Sequence, residues 1–410
     1  MTKNNIKKNV LISTLGGYFV ALSNFTLNLL LIRNLSPELY GLFSYIINQS
    51  RRALRLLDFS FIELILISKK RGLELTGLYE TFLFHSIIRF VIVFIVGFFA
   101  AWYSDNLATI SVIGFLLIYT NARYFYVFGV VHFYEVYFNT KIAQFFYTLS
   151  SIILLLAVFI SSYLLPTTLY NFALVMCLAS LLVIFLISIM LYRKSDIGIP
   201  RISMQVLSAL KEHSLFLQLP ILFSVITKFI QDTLIITEQS IQIFAFYSIS
   251  LLLGSVAVIG ARGTIRPLAP YLWSLDGHPI KPYVYMGVLL YFIGIVLSLS
   301  VSFFEDIFLL INKDYAGIGI YLSLGILLAI SMAYSQIIST FIIGAGLIKN
   351  LSIVNSITIV LTLLLTLLAY FFLDSKFFAI NLLIIDILLT NINIITITIL
   401  YKFKLRIISE

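Results

Sequence analysis

The chain has 410 residues, of which 61% are hydrophobic and only 11% are charged, and its mean hydropathy is +1.06. Soluble domains carry about a quarter charged residues, so this composition excludes a soluble globular protein and indicates an integral membrane protein. A transmembrane barrel does not fit either, because its strands would alternate in runs of about ten residues. The single cysteine, Cys177, leaves no internal disulfide and no cysteine-built metal site.

Twelve apolar segments are long enough to cross a bilayer core of about 30 Å as helices. The first six are predicted at Val10–Ile32, Tyr40–Ile67, Leu78–Trp102, Leu107–Val131, Ile142–Leu164 and Leu169–Tyr192. The second six are predicted at Leu215–Ile236, Ile241–Trp273, Tyr283–Phe304, Ala316–Gly346, Leu351–Leu373 and Phe377–Tyr401. The sequence therefore predicts an all-α integral membrane protein with twelve transmembrane helices.

The distribution of basic residues predicts the orientation of these helices. With the N-terminus inside, only Arg33, Lys313 and Lys376 fall in outer connections, whereas clusters such as Lys69-Lys70-Arg71 fall in inner ones. This asymmetry follows the positive-inside rule for a multi-pass protein with both termini cytoplasmic. The formal net charge of +9 is thus a topology signal, and no nucleic-acid partner is expected.

A polar connection at Arg193–His213 separates the helices into two sets of six. The predicted organisation is an N-terminal six-helix lobe at 1–196, a cytoplasmic linker at 197–213 and a C-terminal six-helix lobe at 214–410. A short internal similarity supports this duplication, since Tyr40-Gly41-Leu42-Phe43-Ser44 and Phe244-Ala245-Phe246-Tyr247-Ser248 lie 204 residues apart. Internal repeats of this kind are common in transporters.

The second segment contains an unusual group of arginines, Arg51, Arg52 and Arg55, near its midpoint. One arginine at the centre of a lipid-facing helix costs roughly 2.5–3.5 kcal/mol on insertion scales. One interpretation is a cationic cavity that binds a phosphate or diphosphate, since guanidinium groups bind such oxygens bidentately. The alternative is a structural network neutralised by Asp58 and Glu63, with Arg55 and Asp58 paired at i, i+3. Because three arginines exceed two acids, the sequence favours the binding site.

Other charges lie within the predicted helices. Further candidates for binding the same anionic group are Arg262, Arg266, Arg89 and Arg123, although snorkelling towards the cytoplasm explains Arg266 equally well. The acids that are candidates for binding a coupling cation are Asp58, Glu63, Asp232 and Asp386. Lys228 and Asp232, at i, i+4, are predicted to form a structural ion pair. The chain has no HExxH, P-loop or GxSxG motif, so no metal, cofactor or catalytic residue is expected.

The opening of the chain resembles a known family. After the first segment come Arg33, Leu35, Glu38, Tyr40 and Gly41, and then Asp58 and Phe59 with Ser60 in place of the usual glycine. This pattern is similar to that of the Wzx-type flippases for lipid-linked oligosaccharides. They belong to the multidrug/oligosaccharidyl-lipid/polysaccharide exporter superfamily. Asp232 also resembles an acid that is usual at its position in these proteins.

The resemblance implies two six-helix lobes around a central cationic cavity that opens alternately to either side of the bacterial cytoplasmic (inner) membrane. It implies a transporter rather than an enzyme. The implied cargo is an oligosaccharide on an undecaprenyl diphosphate carrier, flipped from the cytoplasmic to the outer leaflet for O-antigen or other surface polysaccharide synthesis. Membrane lipids, a polysaccharide polymerase and a chain-length regulator are the other implied partners.

Two other functions are considered. The first is a cation-coupled multidrug or metabolite exporter of the same superfamily, for which an acidic or apolar cavity would be expected instead of one with central arginines. The second is a membrane polysaccharide polymerase or glycosyltransferase, which needs a sizeable outer loop for its chemistry. Every outer connection predicted here is short.

Overall fold

The computed structural model describes residues 3–58, 61, 64, 73–102, 107–125, 140–192, 201–265, 281–344 and 348–409, and these form helices without any strand. The helices of the first half are α1 (Lys3–Asn34), α2 (Pro37–Leu56), α3 (Leu75–Trp102), α4 (Leu107–Arg123), α5 (Thr140–Leu164) and α6 (Leu169–Tyr192). Those of the second half are α7 (Met204–Glu238), α8 (Ile241–Ile265), α9 (Lys281–Ser298), α10 (Val301–Ile311), α11 (Gly319–Gly344), α12 (Ile348–Phe372) and α13 (Phe378–Ser409). Short 3₁₀ turns lie at Lys313–Tyr315 and Ser375–Phe377.

The apolar helices agree with the predicted segments. Among the described residues, nine helices are long and apolar enough to cross a membrane, and each overlaps one predicted segment. Two further predicted segments overlap the shorter apolar helices Thr109–Arg123 and Gly287–Ser298. The remaining predicted segment contains α2, which has too many polar side chains to count among these apolar helices. The predicted all-α fold class is therefore confirmed.

Two predicted boundaries are wrong. The second segment was expected to continue as one helix to Ile67, but α2 ends at Leu56 and a turn follows at Leu57 and Asp58. The polar connection was expected to be a linker up to His213, but α7 already begins at Met204 and continues through Pro220.

The described chain forms two compact units, one made of Met1–Leu42 with Ile226–Glu410 and the other of Phe43–Val225. In the first unit α8 packs against α11 and α1, and α13 packs against α11 and α12. In the second unit α4 packs against α6 and α3, and α5 packs against α6. The lobe boundaries predicted from the sequence stay a prediction.

The first unit contains two close helix contacts that need small residues or specific hydrogen bonds. A Cβ on Gly325 of α11 would lie 2.9 Å from the Cα of Ser250 in α8, so the two backbones meet at this glycine. The Ser250 hydroxyl donates to the Tyr321 carbonyl oxygen at 2.6 Å and reinforces this contact. After α10, the Asn312 side chain donates to the Ile32 carbonyl oxygen at 2.9 Å and thus caps the end of α1.

The second unit has an aromatic and aliphatic core. Its buried residues come from the segment after α2, from α3, α5 and α6 and from the first turns of α7. Phe82 of α3 lies near its centre, with its ring centroid 5.5 Å from that of Phe61 and 5.6 Å from that of Phe125. The first turn of α7 joins this core through Val206, and the Ser203 amide donates to Thr81 at 2.9 Å.

The predicted internal repeat coincides with equivalent helix starts. Helices α2 and α8 begin at Pro37 and Ile241, which have the same 204-residue separation as the similar sequences. A serine precedes each helix and accepts a hydrogen bond from an amide of its first turn: Leu39 donates to Ser36 at 3.4 Å and Ile243 donates to Ser240 at 3.1 Å. Both are N-caps, and this shared capping gives the short sequence similarity a structural basis.

Gly41 allows the backbone of α2 to come close to the start of α8. A Cβ at this position would overlap the backbone carbonyl oxygen of Ile241, which cannot move without shifting the start of α8. We expect Gly41→Ala to destabilise the purified protein by about 1–3 kcal/mol, measured as a lower unfolding temperature. Gly114→Ala in α4 is the matched control, because its Cβ would meet nothing within 4 Å and should leave stability unchanged or higher. Equal effects of the two substitutions would contradict this explanation.

Candidate functional site

Helix α2 is amphipathic, and its buried side follows a helical spacing. Tyr40, Phe43, Ile47, Ser50 and Leu54 are all buried and recur every three or four residues along one face. Because this stripe faces the protein interior, it fixes which side of α2 is turned outward. The helix therefore presents its remaining side chains on the opposite face.

The opposite face of α2 carries the predicted arginines. Arg51 and Arg55 are exposed, one turn apart, while Arg52, Asn48 and Gln49 are half-buried. In a chain whose other helices expose mainly leucine, isoleucine and phenylalanine, this face is polar from Asn48 onward. Such a surface is stable within a membrane only where it meets water, protein or a polar ligand.

Helix α4 supports α2 and brings another arginine to the same unit. The hydroxyls of Ser50 and Thr120 lie 2.5 Å apart, and Leu54 packs in one apolar cluster with Tyr124. One turn after Thr120, the half-buried Arg123 donates to the Tyr119 hydroxyl at 2.6 Å. No partner for Arg123 was predicted from the sequence, and the structure places this phenol beside it on the same helix.

A buried ion pair lies at the end of α2. Arg89 of α3 donates from Nη1 to Asp58 Oδ1 at 3.0 Å, and the two side chains are 2% and 4% exposed. The guanidinium carbon lies 4.4 Å from the ring centroid of Tyr124, and Nη2 lies 3.5 Å from the Ser86 hydroxyl. Asp58 thus has Arg89 as a partner, where the sequence had predicted Arg55.

The sequence of α3 explains why Arg89 points inward. Leu78, Phe82, Ser86, Arg89 and Val93 are buried at helical spacing, whereas the neighbouring Ile88 and Phe90 are exposed. The guanidinium is therefore placed on the protein side of a helix whose other face is apolar. A charge in this position requires a nearby opposite charge, because the low dielectric strongly disfavours an isolated ion.

The remaining predicted anion-binding residues are placed as follows. Glu80, on the same helix as Arg89, pairs with the exposed Arg201 at 3.3 Å. Arg262 lies in α8, but its side chain is outside what the structure describes, and Arg266 and Glu63 lie outside the described residues. The assignment of Arg51, Arg52, Arg55, Arg89, Arg123, Arg262 and Arg266 to anion binding stays a prediction.

A second polar cluster forms around Lys228 of α7. Its ammonium donates to Asp386 of α13 at 2.5 Å and to Gln231 at 2.7 Å, and lies 3.3 Å from the Tyr247 hydroxyl of α8. Asp232, which the sequence paired with Lys228, is fully buried one turn further along α7. The ion pair of Lys228 with Asp386 thus joins two helices that are distant in sequence.

Sequence reasoning missed Gln231, Tyr247 and Tyr124 as partners of the buried charges. Gln231 had a readable signal, since it lies at i, i+3 from Lys228 on the same predicted helix. Tyr247 and Tyr124 gave no such signal, because their contacts cross between helices. Among the described residues, no group of three or more histidine, cysteine, aspartate or glutamate side chains is placed to hold a metal ion.

Comparison with known proteins identifies the fold. No protein-family model matches the chain, and no curated protein matches it. Solved structures do match over nearly the whole length. An inward-facing conformation of a multidrug resistance MATE family transporter of the MOP superfamily has a TM-score of 0.69 at 13% identity, covering 98% of this chain and 100% of that one. An outward-facing conformation of such a transporter has a TM-score of 0.66 at 15% identity, with 98% and 97% covered.

A third structure, a MOP superfamily transporter from Pyrococcus furiosus, has a TM-score of 0.68 at 13% identity, covering 99% of this chain and 97% of that one. Its description states that a reverse polarity of its binding pocket suggests a different function. At these identities the similarity is one of fold, and the chain has the fold of MATE transporters. The three neighbours are described as transporters.

The buried pair of Asp58 and Arg89 generates a test by double substitution. Asp58→Leu or Arg89→Leu alone should each cost about 3–5 kcal/mol, because the remaining charge stays buried without its partner. The double variant Asp58→Leu/Arg89→Leu should recover much of this loss, since neither charge remains. Thermal unfolding of the four purified proteins measures the coupling, and additive losses would show that the pair does not act as a unit.

Proposed function

We propose that the chain is a membrane transporter for an anionic, lipid-linked cargo: it flips undecaprenyl-diphosphate-linked oligosaccharides from the cytoplasmic to the outer leaflet. The proposal rests on one observation. Helix α2 presents Arg51, Arg52 and Arg55 on its polar face, while the nearby Asp58 is bound by a fourth arginine, Arg89. The bacterial inner membrane with both termini cytoplasmic, and export for O-antigen or another surface polymer, belong to the same proposal.

The charge balance of α2 supports an anionic cargo. The last two turns of the helix and the following turn contain three arginines and one acid, and that acid already has Arg89 as an ion-pair partner. The other described acid of α2, Glu38, lies 13 residues before Arg51, which corresponds to about 20 Å along a helix. The C-terminal half of α2 therefore carries excess positive charge within a largely apolar protein.

The chemistry of a diphosphate suits this surface. Its charged oxygens lose hydration when they cross a bilayer, and guanidinium groups replace the lost water contacts with paired, charge-assisted hydrogen bonds. Arginine also keeps its charge at any physiological pH, so this capacity does not depend on pH. The carrier's apolar chain would remain in lipid while its headgroup follows the polar face. Alternating access, which the two neighbouring MATE conformations exemplify for those proteins, would supply the movement.

A multidrug exporter is the second candidate, because structural neighbours of this chain are described as multidrug resistance transporters. The three arginines on α2 of this chain would repel a cationic drug. They would offer a neutral drug no ion pair. The Pyrococcus furiosus neighbour, described as having a reversed pocket polarity and a suggested different function, indicates that pocket polarity separates functions within this superfamily. The polarity of α2 favours the anionic cargo.

Substitution of the three arginines tests the proposal in cells that depend on this chain for a surface polymer. Replacing Arg51, Arg52 or Arg55 with alanine should remove one charge-assisted contact and weaken cargo binding about 10- to 100-fold. We expect loss of surface polymer and accumulation of the lipid-linked precursor on the cytoplasmic side. Lysine substitutions should retain part of the activity, because they keep the charge but lose the bidentate geometry. Normal export by well-inserted alanine variants would refute the proposal.

A binding measurement separates the two candidate functions. Purified wild-type protein should be stabilised against heat by undecaprenyl diphosphate and not by a cationic dye such as ethidium. The stabilisation should weaken with added salt and should be reduced in the arginine variants. Lys313→Ala is the matched control, because it removes one exposed positive charge in an outer connection. Stabilisation by ethidium alone would favour the multidrug exporter.

A further inference from the structure

The ammonium of Lys228 lies in a cage of oxygen atoms. The three oxygens are Asp386 Oδ2 at 2.5 Å, Gln231 Oε1 at 2.7 Å and Tyr247 Oη at 3.3 Å. They come from α13, α7 and α8, so three helices converge on one positive charge. A carboxylate, an amide carbonyl and a hydroxyl are also the ligand types that hard metal cations prefer.

The residues that supply the oxygens of the cage are buried, whereas the Lys228 side chain is 26% exposed, and the oxygens have other contacts that hold them in place. Gln231 and Tyr247 are fully buried and Asp386 is 8% exposed. The Gln231 side-chain nitrogen donates to Thr366 of α12 at 2.9 Å, which turns its oxygen towards Lys228. The Tyr247 hydroxyl lies 3.4 Å from Asp386 Oδ2. The arrangement therefore does not depend on the lysine alone.

We propose that this cage is a monovalent-cation site whose cation is supplied by the chain itself, as the tethered ammonium of Lys228. An ammonium carries one positive charge and three donors, and it meets three acceptors here. Removing it leaves a buried carboxylate among correctly placed oxygens, which is a site for Na⁺ or K⁺. With Lys228 in place, the unit holds its own counter-ion at Asp386 and binds no dissolved cation there.

A second acid lies close in sequence to the cage. Asp232 comes one turn after Lys228 on α7 and is fully buried. The charged and titratable groups that contact one another in the cage are Lys228, Tyr247 and Asp386. Once the lysine is replaced, the buried Asp386 carboxylate remains among the cage oxygens and attracts a cation.

The inference deepens the proposed function by stating how the candidate coupling acids are used. It rests on the proposed function for one consequence only. That consequence is that transport of the cargo does not require Na⁺ or K⁺ at Asp386. The cation-binding claim itself concerns the purified protein and involves no cargo. The two proposals can therefore fail separately.

Thermal unfolding of the full-length protein in detergent tests the inference. The protein is compared in chloride salts of N-methylglucamine, Na⁺, K⁺ and methylammonium at equal ionic strength. Lys228→Ala should unfold on the order of 2–5 °C higher in Na⁺, K⁺ or methylammonium than in N-methylglucamine. The wild type should show no such difference, nor should Lys376→Ala, the matched control, in which one exposed lysine of the same unit is lost. Adding Asp386→Asn to Lys228→Ala should abolish the shift.

Two results would overturn the inference. One is a Lys228→Ala protein that responds equally to all four salts. The other is a wild-type protein with a Na⁺- or K⁺-specific shift that Asp386→Asn removes, since the cage would then bind a dissolved cation beside the lysine. If Lys228→Ala is not recovered folded, Lys228→Gln keeps the length and removes the charge, and the same comparison decides. Normal export by the arginine variants together with the expected shift would refute the flippase and leave the cation cage standing.

Discussion

Charge inside an apolar protein must be compensated locally, and this constraint organises both units of the chain. A buried ion in a low dielectric is stable only beside an opposite charge with good geometry. Arg89 and Asp58 satisfy this condition in the unit 43–225, and Lys228 and Asp386 satisfy it in the other. The first pair joins α3 to the turn that follows α2, and the second joins α7 to the distant α13, so each pair also specifies which elements pack together.

The two units differ in how exposed their charged side chains are. In the unit that contains Ile226–Glu410, the two acids Asp232 and Asp386 are buried, and the half-buried Lys228 pairs with Asp386. In the unit 43–225, the acid at the end of α2 is paired inside, while Arg51 and Arg55 remain exposed on the polar face. The acid nearest to these arginines in the described sequence thus has an ion-pair partner on another helix.

The sequence predicted the helices well because length and hydropathy are local properties of the chain. It failed where the answer depended on packing. The end of α2 at Leu56 was missed, because the apolar run continues past the turn and gives no stop signal. The partner of Asp58 was missed because Arg55 is its neighbour in sequence, whereas Arg89 reaches it only through the inward face of α3. Gly41 was recognised from the sequence only as part of a motif. The structure explains why glycine is needed there: the backbone of Ile241 comes so close that no side chain fits, and no pattern in a single sequence reveals this contact.

The separation of Lys228 and Asp386 along the chain has a consequence for biosynthesis. The two residues are 158 positions apart, which corresponds to roughly 8–30 s of translation at 5–20 residues per second. Asp58 and Arg89, only 31 positions apart, meet within about 2–6 s by the same rate. Helix α7 must therefore enter the membrane before Asp386, the ion-pair partner of Lys228, has been synthesised. During that interval, Asp232 is the acid that is already present on the same helix as Lys228. The contact between α7 and α13 forms only after α13 has been inserted.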